Sequence, residues 1–576
     1  MIQKRWTIKE ANPEWAQSLY ESLKIHPVLC RILASRGVSN FQEAKDFFRT
    51  NETHLLNPFL MKGMQKSIDR IHQAITNNEK ILIYGDYDVD GTTSVAVVYQ
   101  FFKTIIGNQS EAFNLKPQIE FYIPHRFSEG YGVSQKGIDY AIEQNFKLII
   151  TLDCGIKSVD LVEYANQHNI DTIVSDHHLP GEIIPNAFAI LNPKQADCPY
   201  PYKELCGCGI GYKIISAYAA QYNIDQEIVN YHLDLVATAI AADIVPITGE
   251  NRTLCVLGLQ KANDNPSVPL QALKTISKHE KEFTITDLVF IIAPRVNAAG
   301  RMDDAKKAVE LFIETDVEKA KELASILQED NNDRKDIDRM TTLEALDMIA
   351  EKMEFQNRKS TVVYDENWHK GIVGIVASRI IEHHYKPTIV LTLSNGKITG
   401  SARSIKGFNM FEGLNQCADY LENYGGHYFA AGLTMKEENL EPFKLRFDEV
   451  VKATVPDELF FPEIEVDAEI NFNDINDHFL KILNQFAPHG PENMKPIFMT
   501  KHVLDYQGFS TIVKEKHLRF VVYQNGSKTI NGIGFNMAEK IDVIKSKQSF
   551  EILYHIEENT WNGNTSIQLK VIDIRQ

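Results

Sequence analysis

The sequence predicts an α/β fold: a parallel-sheet domain, a long helical connector, a second α/β domain and a small antiparallel β-barrel at the C-terminus. Three observations carry that expectation. Short β-rich runs (KILIY from Lys80, then IEFYI, FKLIITL, DTIVS and AFAIL) alternate with helical stretches such as Lys136 to Gln144 and Ser158 to Gln167, the pattern of a parallel sheet covered on both faces. A second strand, loop and helix begin near Thr361 in TVVYDENWHKGIVGIVASRIIEHH. Beyond Pro496, HLRFVVYQ, TINGIGF, FEILYHIE and SIQLKVIDI are separated by Asn-Gly or charged turns, as strands of a small barrel are.

With 576 residues the chain is too long for one core. The successive units read as an N-terminal helical element at 1–75, a first α/β domain at 76–305, a connector at 306–358, a second α/β domain at 359–455, a linker at 456–495 and the barrel at 496–576. Within the first unit, Glu14 to Leu23 and Asn40 to Phe48 read as helices, and no catalytic pattern accompanies them. From Lys306 to Glu354 the chain is strongly helical and charged, which suits one spacer helix or two in succession.

Composition excludes several classes. At 44% hydrophobic and 24% charged residues the chain is ordinary for a globular protein. No apolar run approaches the ~20 residues of a membrane span, and MIQKRWTIKEANPEW lacks a signal-peptide apolar region. The expectation is a cytoplasmic protein with no membrane partner. Seven cysteines are few and odd in number, which suits reduced thiols, and Cys198, Cys206 and Cys208 lack the paired spacing of a zinc site. A net charge of −17 argues against coating nucleic acid by bulk charge, but leaves room for a basic groove on an acidic body.

The residues just past the strands carry the chemistry. KILIY runs into DYDVDG, placing Asp86, Asp88 and Asp90 at alternate positions; FKLIITL runs into Asp153 of DCG; DTIVS runs into Asp176, His177 and His178. Ligands bind at the carboxyl ends of the strands in open α/β sheets, and acids crowded there repel unless a cation lies between them. An Asp-rich turn that merely caps a helix is the plain alternative. Asp243 ends the small apolar run Ala237 to Ala242, which reads as a buried helix, and a buried carboxylate needs a partner.

Candidate phosphate ligands lie further on. FIIAPRVNAAGRMDDA reads as a loop from which Arg295, Asn297 and Arg301 reach an anion, with pairing to Asp303 and Asp304 as the competing reading. In the second α/β domain Asn395-Gly396 signals a hairpin. Arg379, Ser401, Arg403, Ser404 and His427 are candidates to grip a phosphate or a strand end, and Gly425 and Gly426 permit close backbone approach. The tail from Pro496 holds 10 Lys and Arg against 8 Asp and Glu, interleaved with Phe509, Phe520, Tyr523, Phe535 and Trp561. Basic and aromatic residues mixed in this way suit a barrel that stacks bases, with core packing as the alternative for each ring.

Taken in order, DYDVDG, DCG, DHH, AADIVP, PRVNAAGRM, GSARS and GGHYFAAG resemble the DHH phosphoesterase superfamily, over about residues 20 to 500. The resemblance implies a DHH catalytic domain, a DHHA1 domain and an oligonucleotide-binding (OB) fold in the positions given above, and two Mn²⁺ or Mg²⁺ ions. By position, Asp88 and Asp153 would hold one ion with Asp86 as a candidate third ligand. Asp90, Asp153, His177 and Asp243 would hold the other, with Asp153 bridging and His178 facing the phosphate or supporting the ligands. Mixed carboxylate and imidazole ligands suit Mn²⁺ at least as well as Mg²⁺.

The resemblance further implies an exonuclease of single-stranded DNA acting 5′ to 3′ in repair and recombination and releasing mononucleotides. It also implies a single-strand-binding protein and a RecQ-type helicase as partners, and a monomeric chain. Two other readings stand beside it. One is a hydrolase of short oligonucleotides or cyclic dinucleotides, against which the barrel argues; the other is a non-catalytic replication scaffold, against which the intact set of acids argues.

Overall fold

A computed structural model describes residues 4–113, 118–302, 304–561 and 563–576. Its first sheet has five strands, all parallel, in the order Ile119–Tyr122, Ile81–Gly85, Leu148–Leu152, Asp171–Ser175, Ala189–Leu191. The second and third of these are buried at every residue, as strands covered on both faces must be. Ile81 and Ile83 join the core that includes Ile150, Ile214 and Val236, while the alternate Leu82 and Tyr84 join a separate core with Ile138 and Phe146. Side chains at successive strand positions point to opposite faces. The sheet is thereby held from both sides, and the ends of its strands are fixed in place.

The helix after the first motif begins at Val89, so Asp90 and Gly91 lie in its first turn rather than in a longer loop ahead of it. Residues Leu233–Ala242 form the buried helix expected before Asp243, which caps its C-terminus. PRVNAAGRM departs from expectation: Ala293–Met302 is an α-helix continuing a π-helical turn at Leu288–Ile292, not a loop. Pro294 lies within this continuous helical run, and the π-helical turn just ahead of it accommodates a residue that has no N–H to donate. A Cβ at Gly300 would stand 2.9 Å from the Tyr87 carbonyl oxygen, so the glycine marks close helix packing.

The connector is a short helix, Lys306–Phe312, followed by a 35-residue helix, Val317–Glu351, about 52 Å long at ~1.5 Å per residue. It leads into a five-stranded sheet ordered Asn423–Gly426, Ala430–Met435, Lys397–Arg403, Thr388–Ser394, Thr361–Tyr364. Only the last pair is parallel. Asn395 and Gly396 both take positive φ, 54° and 73°, between the paired Ser394 and Lys397, as a two-residue hairpin turn requires.

The C-terminal sheet has seven strands, from Ala468–Glu469 through Asn564–Arg575, and the additional pairing of Phe498–Asp505 with His517–Tyr523 curls it into a barrel. Its pairs are antiparallel except Ala468–Glu469 with Phe498–Asp505 and Ile530–Gly534 with Asn564–Arg575. Phe520 is fully buried and is core, whereas Phe509 and Phe535 are about half exposed, at 51% and 54%. The Trp561 side chain lies outside the described residues. The helices Pro13–Leu23, Pro27–Ser35 and Phe41–Phe48 supply Leu19, Leu29, Ile32, Leu33 and Ala44 to the barrel's own core. Arg5–Ile8 pairs in parallel with Glu463–Val466, so the two ends of the chain fold as one body. All seven cysteines are buried and free. Among the described residues no helix is long and apolar enough to cross a membrane.

Candidate metal centre

The carboxyl ends of three parallel strands and the end of the buried helix deliver one cluster. Asp86, Asp88 and Asp153 place ligand atoms within 4.8 Å of one another, as do Asp90, His177 and Asp243, and Asp153, His177 and His178. Asp153 belongs to two of these groups and His177 to two, so the three groups join into one cluster. Asp153 holds φ at 62°, a left-handed conformation uncommon for a residue with a side chain, and strain of that kind gathers at functional sites. The fit to cations rests on unsatisfied oxygens: Asp86 Oδ2, Asp153 Oδ1 and Asp243 Oδ2 are buried with no hydrogen-bond partner among the described residues. His177 Nε2 lies 3.1 Å from Asp153 Oδ1 and 3.5 Å from Asp243 Oδ2 without hydrogen-bond alignment. Native interiors rarely leave such groups unpaired.

Backbone donors hold oxygens of Asp86, Asp88 and Asp90. The N–H groups of Gly207 and Cys208, at the N-terminus of the helix Gly207–Tyr222, donate to the two oxygens of Asp90 at 2.6 and 2.7 Å. Gly91 N–H donates to Asp88 Oδ1 at 3.0 Å and Gly132 N–H to Asp86 Oδ1 at 3.3 Å. Tyr84 lies two residues before Asp86; its hydroxyl donates to Gly132 O and accepts from Ser134 N–H, fixing that loop rather than the cluster. Asp176 is no ligand: it accepts from Ile156 N–H at 2.9 Å and from His178 Nδ1 at 2.7 Å, orienting the second histidine so that its Nε2 meets the Tyr131 hydroxyl at 3.1 Å.

Electrostatics match this geometry. Burial, then the charge of Asp88, pushes Asp90 up to about 7. Asp86, Asp153 and Asp243 rise well above the usual carboxylate range, first through burial and then through their acidic neighbours. Burial and the adjacent His178 lower His177 to about 3, leaving it a neutral imidazole. Burial is the largest single influence on His178 and works against its charge, but the hydrogen bond and charge of Asp176 together with the charges of Asp90 and Asp88 outweigh it and raise the group. Crowded, dehydrated carboxylates beside a neutral imidazole form a donor set that only protons or cations relieve.

Beside the cluster a cavity of about 280 Å³ opens between the two α/β domains, lined by Tyr87, Arg126, Arg301, Lys370, Ser401 and Arg403 among others. Tyr87 sits in sequence between Asp86 and Asp88, so cavity and cluster share a wall. Val373 and Gly374, at the N-terminus of the helix Val373–His383, also line it, and no side chain caps that helix; exposed helix N-termini favour anions. Burial, and then Arg126, Arg334 and Arg403, bring Arg301 down to about 10. Arg301 donates to Gly371 O, and Arg403 to Ser401 Oγ and Ala402 O, all neutral acceptors.

The other expected phosphate ligands face elsewhere. Arg295 donates to Gln328 and to its own helix at Ile291 O. Arg379 grips Asp338 of the connector through both carboxylate oxygens, so it braces the second domain against the long helix rather than reaching a phosphate. Ser404 donates to Phe408 O within its own loop. Asn297 is half-buried on the helix Ala293–Met302 and does not line the cavity. His427 is lowered first by burial and then by the charges of Lys157 and His178. Asp303 lies outside the described residues, and Asp304 caps the following helix at Lys306 N–H. Sequence reasoning missed Arg126, Lys370 and Tyr131. Arg126 comes shortly after the strand Ile119–Tyr122, so the strand-end rule that found the acids also pointed to it.

Family models match along the chain: the DHH family N-terminal domain at residues 80–240, the DHHA1 domain at 357–453 and the RecJ OB domain at 466–573. The single-stranded-DNA-specific exonuclease RecJ of Bacillus subtilis is 35% identical over 99% of this chain and 70% of its own length. That of Escherichia coli is 31% identical over 96% of each. Among solved structures, RecJ of Thermus thermophilus in complex with Mn²⁺ superposes with a TM-score of 0.83 at 24% identity, covering 99% of this chain and 79% of that one. An exonuclease RecJ bound to manganese gives 0.59 at 30% identity over 69% of this chain and 96% of that one. The chain belongs to the RecJ family of DHH proteins.

Proposed function

We propose that the chain is a cation-dependent exonuclease of single-stranded DNA that works 5′ to 3′, releases mononucleotides and serves repair and recombination in the cytoplasm. One observation carries the proposal: dehydrated, unpaired carboxylate oxygens stand directly beside a cavity lined by guanidinium groups whose hydrogen bonds go to neutral acceptors. A phosphodiester has that complementarity, negative phosphate on one side and a reacting phosphorus near cations on the other. Asp86, Asp88 and Asp153 would hold one Mn²⁺ or Mg²⁺, and Asp90, Asp153, His177 and Asp243 the second. A bound pair supplies Lewis acidity and a water of lowered pKa for in-line displacement. The protein's own groups do the rest. Arg126, Arg301, Ser401 and Arg403 orient the terminal phosphate of the strand, Asp176 and Tyr131 fix the His178 imidazole, and the two domains leave a cleft that fits a single strand. RecJ of Thermus thermophilus has the same fold, and the barrel's half-exposed Phe509 and Phe535 suit a longer polymer better than a dinucleotide. The family resemblance adds a single-strand-binding protein and a RecQ-type helicase as partners of a monomer.

The test is digestion of strands labelled at the 5′ or the 3′ end with Mn²⁺ present, against duplex and cyclic dinucleotide controls. Labelled mononucleotide released at once from the 5′ end only, with duplex spared, is the expected result. Preference for the cyclic dinucleotide would favour the smaller-substrate reading.

A further inference from the structure

We propose that Tyr428 and Phe429, on the turn between the strands Asn423–Gly426 and Ala430–Met435, are a base-stacking platform that holds a nucleobase of the single strand at the mouth of the metal centre. The inference rests on the reading of that centre as a strand hydrolase and extends it to residues with no catalytic signature.

The turn is anchored while its rings are left outside. His427 N–H donates to Ala430 O at 2.8 Å, Tyr428 O accepts from Met410 N–H at 2.8 Å, and Phe429 O accepts from Ser404 N–H at 2.9 Å. Every backbone group named here is satisfied, so the turn is rigid. Neither ring joins the hydrophobic core of its domain; Phe429 is 56% exposed and Tyr428 40%. The two meet edge to face with centroids 4.7 Å apart, which fixes their orientation at small entropic cost. Phe411, 37% exposed, meets the Tyr424 ring of the strand Asn423–Gly426 with centroids 6.0 Å apart. Exposed aromatic rings held in place without core contacts suggest a ligand with flat faces.

Location selects the ligand. Ala430, which ends the turn, pairs with Arg403, and Gly432 pairs with Ser401; Arg403, Ser401 and Gly432 all line the cavity beside the cluster. A polymer whose phosphates approach the cluster must carry its bases outward past this turn. Stacking on aromatic rings is tolerant of base identity, as an enzyme that consumes arbitrary sequence needs.

The experiment is a cycle between protein and substrate with the full-length chain and Mn²⁺. Wild type, Phe429→Ala, Tyr428→Ala and the conservative Phe429→Trp digest a single strand with intact bases and the same strand carrying abasic sugars at its first few positions. Stacking predicts that abasic substitution raises the wild-type KM about tenfold, the loss of one good stacking contact. It also predicts that Phe429→Ala raises KM by a similar factor on the intact strand but adds nothing on the abasic one, and that Phe429→Trp restores the wild-type KM. Losses that multiply, or a fall in kcat common to both strands, would overturn the platform while leaving the hydrolase intact. A wild type that digests neither strand would overturn the parent reading and the platform with it.

Discussion

Cation binding should stabilise this protein far more at alkaline than at acid pH. Asp90 is pushed up to about 7 by burial and by Asp88, against an ordinary 3.8; keeping that one carboxylate ionised without a cation costs on the order of 4 kcal/mol. Because the folded value is raised, the group's contribution to stability is fully present below 3.8 and is lost as pH rises through about 7. Asp86, Asp153 and Asp243 shift the same way. His177, held near 3, stays neutral and ready to ligate throughout that window. The cation-free protein is therefore weakest where the carboxylates ionise, and there a cation competes with the fewest protons. At a hundredfold excess of Mn²⁺ over its Kd the gain is about 2.7 kcal/mol, roughly 5–10 °C in Tm for a domain of this size. Thermal unfolding followed by circular dichroism with and without Mn²⁺, at about pH 8 and about pH 5, measures it. The gain should be near its full size at the higher pH and almost absent at the lower. A gain independent of pH, or larger in acid, would mean that the cluster carboxylates do not bind the cation.

Other substitutions test separate parts of the account. Gly207→Ala would set a Cβ 2.5 Å from Asp153 Cβ and 2.9 Å from its Cα, costing about 1–3 kcal/mol in overpacking; it should weaken Mn²⁺ binding about tenfold or more by calorimetric titration, and unchanged affinity would show that the Asp153 backbone is not critical. Phe509→Ala with Phe535→Ala should weaken binding of long strands by about 1–3 kcal/mol per stacked base but not cleavage of dinucleotides; equal loss on both would make the barrel purely structural. Deleting residues 496–576 is a poorer test, because it would strip Leu29, Ile32 and Leu33 of their core.

Much of this architecture is legible in the sequence because its signals are local. An apolar run of five residues ending in Asp reads as a buried strand delivering a ligand, and Ile81–Gly85 and Leu148–Leu152 are such strands. The features that could not be read depended on distant partners. PRVNAAGRM carries a proline and a glycine and looks like a loop; packing against the Tyr87 segment makes it a helix. Arg295 and Arg379 have the chemistry of phosphate ligands, yet Gln328 and Asp338 of the connector take them. A guanidinium's partner is set by tertiary structure, so sequence alone could not separate these two from Arg301 and Arg403. The union of the first helices with a barrel that begins more than four hundred residues later had no local signal.

If one pair of cations held jointly by Asp153 cuts the strand, removing that carboxylate should abolish the pair and the cutting together. Titrating Mn²⁺ into wild type and Asp153→Ala while recording electron paramagnetic resonance, with single-strand digestion assayed on the same samples, tests it directly. Wild type should bind two ions per chain with a spin-coupled signal; the variant should lose the coupling and the digestion together while its circular dichroism is unchanged. Coupled ions or undiminished digestion in Asp153→Ala would contradict the account.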